Sequence, residues 1–114
     1  MIDYLAIINK YCVDNEELKQ ILMTHSRQVA DRAQLILARH PEWVESGEVD
    51  PVFVEEAAML HDIGIVRTDA PGIGCRGTYP YICHGMLGAE ILRASEGFFG
   101  YFAIKNLIHN PQND

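Results

Sequence analysis

The chain has 114 residues, 48% hydrophobic and 22% charged, with a formal net charge of -7. That length suits one domain with a real core, and the composition argues against disorder. Seven acids and no Lys or Arg lie between Pro41 and Val66, which speaks against nonspecific nucleic-acid binding, and no apolar run is long enough to span a membrane.

Residues 2 to 12 read as a short first helix with Leu5, Ile8 and Cys12 on one side. The opening Met1-Ile2-Asp3-Tyr4-Leu5 lacks the basic-then-apolar order of a signal peptide. Cys12, Cys75 and Cys83 are odd in number and form no CxxC pair, a usage that fits a reducing cytoplasm. Asn15 looks like the cap of a long second helix reaching about His40, with Glu16 and Glu17 in its first turn and Pro41 as its stop. Within it Leu18, Ile21, Leu22, His25, Val29, Ala33, Ile36 and Leu37 recur at spacings of three and four, which predicts His25 on the buried face.

Residues 42 to 50 are acidic, contain Gly47 and read as a surface connection. Asp50-Pro51 opens a third helix through Phe53, Ala57, Leu60 and His61, and Gly64 is expected to end it in the left-handed conformation. Between Arg67 and His84 stand Pro71, Gly72, Gly74, Gly77 and Pro80, so a regular helix or central strand is not expected there. Met86 to Ala94 returns to helical spacing with Leu87, Ile91 and Leu92 on its apolar side, and residues 98 to 109 read as a last helix. Strand-type alternation is weak throughout, so the expected class is all-α, a bundle of about five helices in one domain over residues 1–114.

His61-Asp62-Ile63-Gly64 is the most informative stretch. As a bare dipeptide, His-Asp is more often a helix end than a ligand pair. Here an apolar helix leads into it and an upstream helix carries His25, so His25, His61 and Asp62 form a candidate ligand set. Imidazole and carboxylate without thiolate suit iron, manganese, magnesium, nickel or zinc. His84 and His109 each flank an apolar helical segment; they read either as caps or core histidines, or as contacts to a second metal or a phosphate. His40, before Pro41, reads as a charge at a helix C-terminus. Arg67 and Arg76 lie among glycines whose amides suit phosphate oxygens, although they equally suit a surface loop balancing acidic neighbours. No Gly-Lys-Ser/Thr follows, so this is not a P-loop, and Cys83 beside His84 does not make a nucleophile-base pair.

Three segments together, Thr24-His25-Ser26-Arg27-Gln28-Val29-Ala30, Ala57-Ala58-Met59-Leu60-His61-Asp62-Ile63-Gly64 and His84-Gly85-Met86-Leu87-Gly88-Ala89-Glu90-Ile91-Leu92, resemble the HD superfamily of metal-dependent phosphohydrolases, in its HDIG branch. The resemblance covers residues 18 to about 93 and is nearest to small stand-alone bacterial HD proteins. It implies a helical bundle around a buried site in which His25, His61 and Asp62 hold a divalent metal, with His84 and His109 as the extra histidines. It also implies a further aspartate on a later helix, and here the sequence reads only to Asp114, five residues past His109. The C-terminal part of the usual domain is therefore expected to be missing, with the remaining ligand drawn from water, another carboxylate or another subunit.

The functional expectation is a phosphohydrolase acting on a phosphate ester of a nucleotide or small metabolite, with one or two divalent ions. Asp62 would assist deprotonation of the attacking water, and His84, Arg67 or Arg76 would meet the charge on the transferring group. The alternative is a binding or regulatory module that has lost turnover, pairing as a homodimer through the apolar stretch 97 to 104.

Overall fold

The computed structural model describes residues 2–95. Its α-helices are α1 (Tyr4–Tyr11), α2 (Glu16–Arg39), α3 (Pro41–Glu45), α4 (Pro51–Leu60) and α5 (His84–Arg93). Three of the first four helices, α1, α2 and α4, start on a side-chain cap. Asp3 accepts from the Ala6 amide at 3.0 Å, Asn15 from Leu18 at 3.2 Å and Asp50 from Val52 at 3.0 Å, each satisfying an amide that the helix itself leaves unpaired. Proline at the first position of α4 loses nothing by lacking an N–H there.

The class is all-α, as expected, with one departure in membership. The segment 42–50 is not a plain connection, because Pro41 both ends α2 and starts the five-residue α3. His40 stacks on Trp43 at 3.9 Å and the Val49 amide bonds back to the Trp43 carbonyl, which closes this turn. The helix expected over 98 to 109, the apolar stretch 97 to 104 and His109 lie outside the described residues.

The core is a continuous cluster of Ile8, Leu18, Leu22, Met59, Leu60, Ile63 and Ile91, with α2 packed along α4. The buried stripe of α2 runs Leu18, Leu22, Ser26, Ala30 and Leu37, whereas Ile21, His25 and Ile36 are exposed. The expected burial of His25 is thus corrected by a rotation of the inward face onto Ser26. A serine is small enough to sit wholly inside the packing, yet it scores as polar in a hydrophobicity pattern. Its hydroxyl finds no hydrogen-bond partner among the described residues.

The segment between Arg67 and His84 is built from main-chain hydrogen bonds. Two-residue strands β1 (Asp69–Ala70) and β2 (Cys75–Arg76) pair antiparallel, and the Arg67 carbonyl accepts from the Thr78 and Tyr79 amides at 3.2 Å. Buried Thr68 donates to the Ile65 carbonyl at 2.8 Å, and Cys75, 1% exposed, anchors β2 in the core. Asn15 also reaches across to donate to the Gly74 carbonyl at 2.8 Å, pinning the segment to the start of α2.

Gly64 does not end α4 in the left-handed conformation; it lies inside a tight 3-10 turn, Ile63–Arg67, and its φ is not positive. Its constraint is space. A Cβ on Gly64 would sit 1.7 Å from the His84 carbonyl oxygen and 2.4 Å from the Gly88 nitrogen. The turn and α5 therefore touch backbone to backbone. Gly64→Ala is expected to destabilise the fold by at least about 3 kcal/mol, read from urea unfolding, because both neighbours are main chain and cannot step aside. Ser26→Ala, by removing a buried unpaired hydroxyl, is expected to leave stability unchanged or raise it by about 1 kcal/mol in the same assay.

Candidate metal centre

α4 ends at Leu60, His61 stands at its C-cap and Asp62 follows before the 3-10 turn. The carbonyls at a helix C-terminus carry partial negative charge, so a cation is favoured there. Asp62 is the hub. His25 Nε2 on α2 lies 3.0 Å from its Oδ2, His61 Nε2 lies 3.2 Å from the same oxygen, and His84 Nε2 lies 3.6 Å from Oδ1. One ligand atom each from His25, His61 and Asp62 fall within 4.8 Å of one another.

The orientation of two rings is set by the main chain. His61 Nδ1 donates to the Ala58 carbonyl, and His84 Nδ1 donates to the Tyr81 carbonyl at 2.8 Å. A carbonyl only accepts, so the proton sits on Nδ1 and the neutral ring turns a bare Nε2 lone pair toward Asp62. Lone pairs facing carboxylate oxygens at this range repel unless a proton or a cation stands among them. The donor set of imidazole nitrogen and carboxylate oxygen fits a divalent ion of borderline or hard character, which His25, His61 and Asp62 could hold.

Burial works against charging His61, but the hydrogen bond and charge of Asp62 and the Ala58 carbonyl outweigh it and hold the ring above the usual histidine range. Burial likewise pushes Asp62 up, and the hydrogen bond from His61 with the charges of His61, His25 and His84 brings it below the usual aspartate range. Without a metal, then, the pair holds its proton more tightly than a free histidine does.

The cluster opens onto a cavity of about 170 Å³ lined by Ile21, Leu22, His25, Asp62, Ile65, Ile73 and Tyr81. Sequence reading missed its apolar wall, since Ile21, Ile65, Ile73 and Tyr81 come from three separate segments with no common spacing. It also missed the Ala58 and Tyr81 carbonyls, whose one trace is that each lies three residues before its histidine. The structure does not bring the expected phosphate ligands here. Arg67 turns instead toward Glu90 at 3.8 Å and over the Tyr11 ring at 5.9 Å, and Arg76 is exposed on β2 outside the cavity lining. The physical reason is the 3-10 turn, which faces Ile65 to the cavity and carries Arg67 past it. His40 stays at the end of α2, 3.2 Å from Glu42.

Linkage gives the sign of the pH response. The raised His61 contributes stability to the metal-free protein below the ordinary histidine range and loses it as pH rises through its folded value. The lowered Asp62 contributes above the ordinary aspartate range and loses it as pH falls through its folded value. A cation must displace the His61 proton, so manganese affinity by calorimetry is expected to rise with pH through and above the ordinary histidine range, with proton release on binding. His61→Ala and Asp62→Ala are each expected to weaken that affinity by at least about 100-fold, more than loss of an outer hydrogen bond would.

The family model for the HD domain matches residues 22–113, reaching further along the chain than the three motif segments do. No curated protein and no solved structure matches. The match takes in His25, the His61-Asp62 pair and His84, and with most of its length covered the chain belongs to the HD domain family, a superfamily of metal-dependent phosphohydrolases.

Proposed function

We propose that this protein hydrolyses a phosphate ester of a nucleotide or small metabolite in a metal-dependent reaction. The observation that carries the reading is the convergence of three imidazole Nε2 atoms on one carboxylate at 3.0, 3.2 and 3.6 Å. His25, His61 and Asp62 would hold the ion, and when bound it supplies Lewis acidity toward a phosphoryl oxygen and toward water. Asp62 has an oxygen on each side: Oδ2 faces His25 and His61, while Oδ1 faces His84 and would take a proton from attacking water. His84, oriented by Tyr81 and only partly buried, would meet the charge on the transferring group. With Arg67 turned to Glu90 and Arg76 exposed on β2, that role falls to His84, which stands 3.6 Å from Asp62.

A second reading, a metal-holding module without turnover, is favoured by one fact. Asp62 is the only carboxylate in the ligand cluster among the described residues.

Turnover of a phosphomonoester and nucleotide panel with manganese, iron or magnesium decides between them. His61→Ala and Asp62→Ala are expected to abolish activity with helicity intact by circular dichroism. His84→Ala is expected to keep metal while kcat falls by roughly 10²- to 10⁴-fold. A metallated, folded protein that turns over nothing on the panel would support the module instead.

A further inference from the structure

The cavity beside the ligand cluster differs in chemistry from a phosphate cradle. Its inner surface is Leu22 and Ile65, 1% and 5% exposed, and its mouth is Ile21 and Tyr81, both partly open to solvent. Ile73, carried by the segment that Asn15 pins to α2, closes the remaining wall. The charged and ligating groups are His25 and Asp62, which belong to the cluster already described, the Tyr81 phenol is the other polar group, and no Lys or Arg lines the cavity among the described residues.

Size and charge decide what such a space accepts. Cavities for drug-sized ligands run to roughly 300–1,000 Å³. This one, at about 170 Å³, has room for a single ring or a short branched chain. A second phosphate placed there would lose its water against isoleucine with no counter-charge among the described residues, and sugar hydroxyls would lose several water partners for the single Tyr81 phenol. Apolar carbon gains from the same transfer.

We infer that the cavity formed by Ile21, Ile65, Ile73 and Tyr81 beside the His25–Asp62 cluster seats the leaving group of the substrate, and that the substrate is a phosphomonoester of a compact apolar alcohol or phenol. The inference rests on the phosphohydrolase reading and narrows it away from nucleotides. Ile21 and Tyr81 select the leaving group, while the phosphoryl group is met at the polar end.

Binding of stable phosphonates to the manganese-loaded protein tests this without requiring turnover. Benzylphosphonate is expected to bind at least about tenfold more tightly than methylphosphonate or 2-hydroxyethylphosphonate, the gain for burying one ring. Ile21→Asn and Tyr81→Ala, at positions exposed enough to spare the fold, are expected to bring the benzyl-to-methyl affinity ratio toward one. Phenyl phosphate should likewise exceed glycerol phosphate and nucleoside monophosphates in kcat/KM. Equal affinity for the benzyl and methyl compounds, or a ratio indifferent to both substitutions, overturns the leaving-group assignment and leaves the hydrolase reading standing. Failure of the metallated protein to bind any phosphonate overturns both.

Discussion

The approach of Gly64 to the first turn of α5 is the contact on which the site depends. At 1.7 Å from the His84 carbonyl to a would-be Cβ, there is no room for any side chain between the turn after Asp62 and the helix that begins at His84. Backbones in direct contact fix relative position far more tightly than side chains that can change rotamer. That rigidity sets the 3.6 Å separation between His84 and Asp62, two residues that are 22 apart in sequence.

Around this contact, two main-chain carbonyls and the course of α2 aim the candidate donors. The C-terminal end of α4 presents His61, whose ring is turned by the Ala58 carbonyl. The turn before α5 presents His84, whose ring is turned by Tyr81. α2 brings His25 along its exposed margin, where Nε2 reaches Asp62 while the ring stays half open to solvent. Among the described residues, the displacement of His25 from the core is what leaves one side of the cluster open to solvent. The same geometry raises the proton affinity of His61 beside Asp62, so a cation at this candidate site would compete with a proton. By contrast, burial pushes the Cys12 and Cys75 thiols up, and both act as core rather than as ligands or nucleophiles.

Much of this was readable locally. The caps at Asn15 and Asp50, the proline stop at 41 and proline start at 51, and the apolar spacing of α5 each depend on residues within a turn of one another, and each element lies within two or three residues of its expected place. The His-Asp pair was legible because adjacency in sequence guarantees adjacency in space. Three readings went astray for one reason. His25 and Ser26 differ by a rotation of one residue, Gly64 serves a contact with a helix twenty residues on, and Arg67 is carried outward by a 3-10 turn; none of these leaves a mark in local composition.

The sequence alone determined the class of the fold, the identity of the donor atoms and the kind of ion they suit, because helix propensity, capping and ligand chemistry are properties of residues and near neighbours. Tertiary structure decided which face of α2 turns inward, which oxygen of Asp62 each imidazole meets, and that among the described residues isoleucine and tyrosine rather than arginine line the cavity beside them. Those outcomes come from close packing between segments distant in the chain, where a missing Cβ or a hidden serine sets distances to a fraction of an ångström.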